Sequence, residues 1–114
     1  MSDVDDAATL ARAWIERWNE GTPDLIPLAE TFKHTSPFGC VAGRQKYLDW
    51  VKPLAAENVT ELTILRTLAG PNEAAIHFQM QTPNGPVQVC DWIVTKDGEI
   101  TEIHSFYDAT GLRD

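Results

Sequence analysis

Val87-Gln88-Val89-Cys90-Asp91-Trp92-Ile93-Val94-Thr95 and Glu99-Ile100-Thr101-Glu102-Ile103-His104-Ser105-Phe106-Tyr107 flank the short segment Lys96-Asp97-Gly98. Asp-Gly is a favoured dipeptide for a tight hairpin, because both positions tolerate positive φ. The flanking runs are rich in β-branched and aromatic residues and alternate, so they read as a pair of antiparallel strands. Alternation places Val87, Val89, Asp91 and Ile93 on one face, which makes Asp91 an acid among apolar neighbours. Gln88, Cys90 and Trp92 take the other face, which is not clearly polar and suggests cover on both sides. The last run divides Thr101, Ile103, Ser105 and Tyr107 from Ile100, Glu102, His104, Phe106 and Asp108. Periodicity alone leaves open which set points inward.

Two more apolar-rich segments precede this hairpin, Glu61 to Leu68 and Ala74 to Thr82. Gly70-Pro71-Asn72 and Pro83-Asn84-Gly85-Pro86 separate them, and both are strong turn signals. In the second segment Ile76, Phe78 and Met80 share one face, opposite His77, Gln79 and Gln81. Earlier still the period changes. Ala11, Trp14, Ile15 and Trp18 recur at helical spacing between Asp5 and Glu20, with Gly21 in the usual position after a helix. Thr22-Pro23-Asp24 predicts a short second helix from Pro23 to Glu30. Phe32 to Ser36 reads as a brief strand and Pro37-Phe38-Gly39 as a turn. A third helix after Gly43 carries Tyr47, Trp50, Val51, Leu54 and Ala55, with Pro53 expected to bend or tighten it. Helices followed by a meander imply an α+β domain, with helices over one face of an antiparallel sheet. One domain spanning 1–114 accommodates all of this.

The chain has 114 residues, enough to bury about two-thirds of its unfolded surface around one core. The formal charge of −8 argues against nucleic acid and against anionic membrane surfaces. No apolar run reaches the length of a membrane span, and the N-terminus, with Asp3, Asp5 and Asp6, lacks a signal-peptide pattern. The expected location is therefore the cytoplasm, where Cys40 and Cys90 remain thiols. Asn58-Val59-Thr60 matches the glycosylation pattern, which carries no meaning without secretion. Metal-ligand spacings, phosphate-binding glycine loops and nucleophile elbows are absent from the sequence, so no cofactor is expected.

Several segments together resemble a known group of folds. A Trp-rich first helix ends in Trp18-Asn19-Glu20-Gly21. A strand leads to Ser36-Pro37-Phe38-Gly39. A helix follows Gly43, and a meander follows that. The sharpest part is Asp91 to Glu102 followed by Phe106-Tyr107-Asp108. This resembles the nuclear transport factor 2-like superfamily, most of all the SnoaL-like group, which includes small polyketide cyclases, and it is also similar to the ketosteroid isomerases and limonene epoxide hydrolases of the same fold. The resemblance implies a cystatin-like cone: N-terminal helices packed on a curved mixed or antiparallel sheet. It implies that Asp91 occupies the place of the isomerase acid that hydrogen-bonds a substrate oxyanion, which is a histidine in the cyclases. Trp14 falls where the isomerases carry a tyrosine. Ser36 falls on their general base, and Ser105 on the acidic residue of the cyclases and epoxide hydrolases. It also implies that Ile103, Ser105 and Tyr107 face the cavity.

A carboxyl group in apolar surroundings has a raised pKa and can act as an acid near neutral pH. The expected catalytic residues are thus Asp91 as acid or oxyanion donor, His34 as base and Tyr107 as a further donor. Trp14, Trp18, Ser36, Phe38, Trp50, Phe78, Val89, Ile103 and Ser105 are expected to line the ligand site. The expected ligand is a small apolar molecule, and His77 and His104 should lie on the outer sheet face, at a homodimer interface or in solvent. Three functions compete: cofactor-free proton transfer on a small carbonyl or polyketide-like compound, ligand binding without chemistry, and a dimerising interaction module.

Overall fold

The computed structural model describes residues 6–58 and 61–108, with side chains at 6–53 and 61–108. Asp3, Asp5, Val59, Thr60 and the Leu54 and Ala55 side chains lie outside it. The first helix, α1 (Ala7–Asn19), is capped at both ends. Asp6 accepts a hydrogen bond from the Thr9 N–H at 2.8 Å. At the other end Gly21 has φ 75. The Gly21 and Thr22 N–H groups donate back to Trp18 and Arg17, which closes a Schellman motif.

The predicted second helix is absent. A single 3₁₀ turn spans Pro23–Leu25, and strand β1 (Leu28–Ser36) begins where that helix should continue. Pro27 is the cause. A residue before proline is driven out of the helical region, and Ile26 is accordingly extended at ψ 133. A tight turn then leads from β1 into a four-residue strand too short to show a periodicity, β2 (Gly39–Ala42). Gly43, at φ 102, starts α2 (Arg44–Asn58), which runs on through Pro53.

Strands β3 (Glu61–Ala69), β4 (Glu73–Thr82), β5 (Gly85–Lys96) and β6 (Glu99–Phe106) form the meander. Lys96 pairs with Glu99 across Asp97 (φ 52) and Gly98 (φ 80), the hairpin expected of Asp-Gly. One curved six-stranded sheet results, in the order β2-β1-β6-β5-β4-β3. β1 and β6 pair in parallel, which makes the sheet mixed. The Asn19 side chain fastens α1 to the edge strand β3, bonding both the N–H and the C=O of Leu62 at 2.7 Å.

Both helices lie over the same sheet face. Leu10, Ala11, Trp14 and Ile15 of α1 and Tyr47, Leu48 and Val51 of α2 are buried there with Phe32, Ile76, Ile93, Ile100 and Ile103 from the strands. Each of these isoleucines, fully buried, contributes roughly 1.5–3 kcal/mol. Ile100 departs from simple alternation, which grouped it with the outward residues. A register shift opposite Val94 and Thr95 inserts one extra residue and turns Ile100 inward.

Candidate functional site

The inner sheet face is filled at one end and hollow at the other. On each of four strands one residue is packed and the next along that face borders space. Phe32 is packed and His34 and Ser36 border it; Ile76 is packed and Phe78 and Met80 border it. The same holds for Ile93 against Asp91 and Val89, and for Ile103 against Ser105 and Tyr107. The hollow is an open-ended cavity of about 440 Å³, roofed by Trp14, Trp18, Tyr47 and Trp50. Phe38 stands at its edge, 46% exposed, with its ring 6.2 Å from that of Tyr107.

Asp91 is the acid of this cavity and is only 2% exposed. Its Oδ2 accepts the Trp14 indole N–H at 2.8 Å. Its Oδ1 has no hydrogen-bond partner in the protein. Burial raises its pKa to about 6, with the Ser105 hydroxyl and the Trp14 indole pulling the other way. Ser105 sits directly opposite Asp91 in the β5–β6 pairing, and its hydroxyl is 2.9 Å from His34 Nε2. Trp14 therefore supplies a donor where the family resemblance pointed to a missing hydroxyl, but it spends that donor on the acid itself.

His34 is buried beneath Tyr47, with ring centroids 5.1 Å apart. Burial, and to a lesser degree the charge of His104, lowers its pKa to about 4. Burial therefore favours the neutral imidazole at physiological pH.

The expected lining residues Trp14, Trp18, Ser36, Phe38, Trp50, Phe78, Val89 and Ser105 all border the cavity, as do Asp91, His34 and Tyr107. Ile103 does not. It is fully buried in the packed end, one rung below Ser105. Alternation gives the face a strand residue occupies, not its depth along the cone. Tyr107 is half-buried; burial raises its hydroxyl pKa, the Ser36 hydroxyl lowers it, and the Asp91 charge raises it. His77 lies away from the cavity and bonds Gln88 at 3.1 Å, and His104 stands opposite Trp92 on the same outer face.

The sequence reading missed Tyr47. Its spacing places it in the apolar stripe of its helix, yet its hydroxyl is buried without a partner in full hydrogen-bond geometry, with the Trp18 indole N–H near it. Burial, then the nearby Asp91, pushes its pKa well above the ordinary phenol value, with Trp18 acting the other way, so it stays a protonated donor. Trp18 Nε1 and His34 Nδ1 are likewise buried without partners. Buried polar atoms almost always have a partner. Four of the described side chains with an unpartnered buried atom, Trp18, His34, Tyr47 and Asp91, border this one cavity. Among the described residues, no cluster of three or more potential metal ligands occurs, and no helix is long and apolar enough to cross a membrane.

The fold recurs in solved structures. An NTF2-like protein from Cytophaga hutchinsonii matches with TM-score 0.80 at 16% identity, over 97% of this chain and 98% of the other. A candidate ketosteroid isomerase from Kribbella flavida matches with TM-score 0.76 at 21% identity, over 95% and 82% of the two chains. A candidate polyketide cyclase from Sinorhizobium meliloti matches with TM-score 0.76 at 14% identity, over 86% and 94%. At such identities these likenesses establish the architecture and not the reaction. No curated protein sequence matches the chain. The SnoaL-like domain family matches residues 11–103, and the chain belongs to that family.

Proposed function

We propose that the protein catalyses cofactor-free proton transfer on a small apolar carbonyl compound, as an isomerase, cyclase or dehydratase does. The observation that carries this reading is Asp91: buried, anchored through one oxygen and unpartnered at the other, at the wall of an apolar cavity. Its Oδ1 would take a proton from the carbon beside the carbonyl. The C–H electron pair becomes a C=C bond, and the carbonyl π pair moves onto oxygen. The Tyr47 hydroxyl is the donor for that oxygen, with the Trp18 indole N–H beside the phenol oxygen. Where the substrate is a β,γ-unsaturated carbonyl, the enolate extends through that alkene. Protonated Asp91 returns the proton at the γ carbon as the oxygen's electron pair re-forms the C=O bond and the alkene shifts into conjugation. His34 serves as a positioning residue, holding the Ser105 hydroxyl beside the acid. Ser36 and Tyr107 form polar lining near Phe38.

The test is α-hydrogen exchange of a panel of cyclic ketones in deuterium oxide, followed by NMR. Asp91→Asn should lower exchange by at least about 100-fold, the scale of a lost general acid–base group, with no loss of stability at pH 7. Equal loss of both would remove the case for catalysis.

A second reading, ligand binding without chemistry, is favoured by Ser36 and Ser105, which stand where relatives carry acids. A ligand retained through purification, seen by native mass spectrometry and returned unchanged after long incubation, would support it. We further propose a homodimer through the outer sheet face. Leu68 (77% exposed), Trp92 (44%) and Phe106 (61%) all project from that face. A cytoplasmic location agrees with the free thiols Cys40 and Cys90.

A further inference from the structure

The cavity combines two features that together suit a cationic ligand. The first is a continuous aromatic lining. Trp14 lies 6.0 Å from Trp18 and 5.9 Å from Tyr47, and Tyr47 lies 6.2 Å from Trp50, centroid to centroid. Phe38 and Tyr107 continue it toward the opening. The second is an uncompensated acid. Among the described residues that border the cavity, Asp91 is the sole carboxylate, and none is a lysine or arginine. The basic group present, His34, is held neutral by burial.

Aromatic faces carry negative electrostatic potential and attract cations, more strongly once water is excluded. A buried carboxylate without a counter-charge is costly, and an opposite charge brought beside it relieves that cost. We infer that the cavity binds small organic cations, namely tertiary or quaternary ammonium compounds, with the charged nitrogen near Asp91 Oδ1 and its alkyl groups against the rings of Trp14, Trp18, Tyr47 and Trp50. Alkylated nitrogen is favoured over a primary ammonium for a definite reason. A primary ammonium brings three N–H donors that must be satisfied when buried. Among these walls the acceptors are the free Asp91 oxygen and a few hydroxyls. A quaternary ammonium has no N–H to satisfy and sheds its water cheaply. The chain's overall charge of −8 also draws cations toward it.

The inference rests on reading the cavity as a ligand site, and not on the proton-transfer chemistry. The test compares choline with its neutral isostere, 3,3-dimethylbutan-1-ol, and with ethanolamine, by isothermal titration calorimetry on the whole chain at pH 7.5. Choline should bind at least about 10-fold more tightly than either, equivalent to about 1.4 kcal/mol. In Asp91→Asn, checked for folding by circular dichroism, the preference over the isostere should fall below about 3-fold. Should that variant not fold, the wild-type comparison decides alone. Equal binding of choline and its isostere would overturn the cation inference while leaving the apolar pocket intact. Binding by none of the probes would also overturn it, and the ketone exchange assay would still judge the proposed reaction separately.

Discussion

Asp91 and Trp92 are neighbours in β5, and each sits where hydropathy alone would not put it. The acid is 2% exposed inside the cone, and the indole is 44% exposed outside it. Strand alternation explains how this happens, since adjacent residues must face opposite ways. It does not explain why the sequence tolerates it. Exchanging the two would place the ring in the core and the charge in water, the cheaper arrangement on burial alone. The cost is borne on both faces. Asp91 faces a hollow bounded by unpartnered polar atoms, and Trp92 belongs to an exposed apolar patch with Leu68 and Phe106. A buried charge and an exposed apolar patch are the two departures from ordinary packing that most often mark function.

Several changes would break or sharpen this contrast. The largest concerns pH. Asp91 has a folded pKa of about 6 against 3.8 for a free carboxylate, so the folded state holds the proton more tightly. Its contribution to stability is present below about pH 4 and lost as pH rises through 6. His34 has a folded pKa of about 4 against 6.5, so its contribution is present above 6.5 and lost as pH falls through 4. Each is on the order of 3 kcal/mol, and the two oppose each other across the same window. At pH 5 folding leaves the proton count of the pair unchanged and moves the proton from the imidazole to the carboxyl group. Urea unfolding of the wild type should therefore be nearly flat with respect to these groups between pH 4 and 6. Asp91→Asn should lose stability on acidification, and His34→Gln should lose it on going from pH 4 to 6. Parallel pH profiles for all three proteins would show that neither group is buried as described.

Trp14→Phe should cost about 1–3 kcal/mol, because it leaves Asp91 Oδ2 buried without its donor. It should also raise the Asp91 pKa further. A stability unchanged in urea melts would mean that the indole bond to the acid contributes nothing. Tyr47→Phe should behave in the opposite way. Deleting a buried hydroxyl that has no partner in full hydrogen-bond geometry should leave stability unchanged or raise it by up to about 1 kcal/mol. Ketone exchange should fall by roughly 10-fold or more, the direction expected when one oxyanion donor is lost. Loss of stability without loss of exchange would make Tyr47 a packing residue. The smallest effect on folding belongs to the outer face. Trp92→Lys with Phe106→Lys should change monomer stability by no more than about 0.5 kcal/mol per site, yet it should convert a dimer to a monomer in light scattering. A wild type that is already monomeric would remove the proposed partner.

The parts of this arrangement that were legible in the sequence are those set by strict local rules. Asp97-Gly98 fixes the β5–β6 hairpin, and period two places Asp91 opposite Trp92. Helical spacing brings Trp14 and Trp18 to one face of α1. The failures have equally local causes. Pro27 ends a helix that the signals at Thr22 and Pro23 seemed to start. A bulge reverses Ile100. Ile103 shares a face with Ser105 but lies one rung deeper, where the cone is filled. Tyr47 escaped notice because a hydroxyl at the end of an aromatic ring looks apolar in any periodicity. Only the three-dimensional neighbourhood shows that its oxygen has no partner in full hydrogen-bond geometry.

The central claim is that a buried carboxyl group stands at the wall of an aromatic-lined hollow. Infrared difference titration of the wild type against Asp91→Asn would read that group directly. The account predicts a carboxylate band, absent from the variant, that appears with a midpoint near pH 6. A midpoint near 3.8, the value of a freely hydrated aspartate, would place the acid in water and contradict the site.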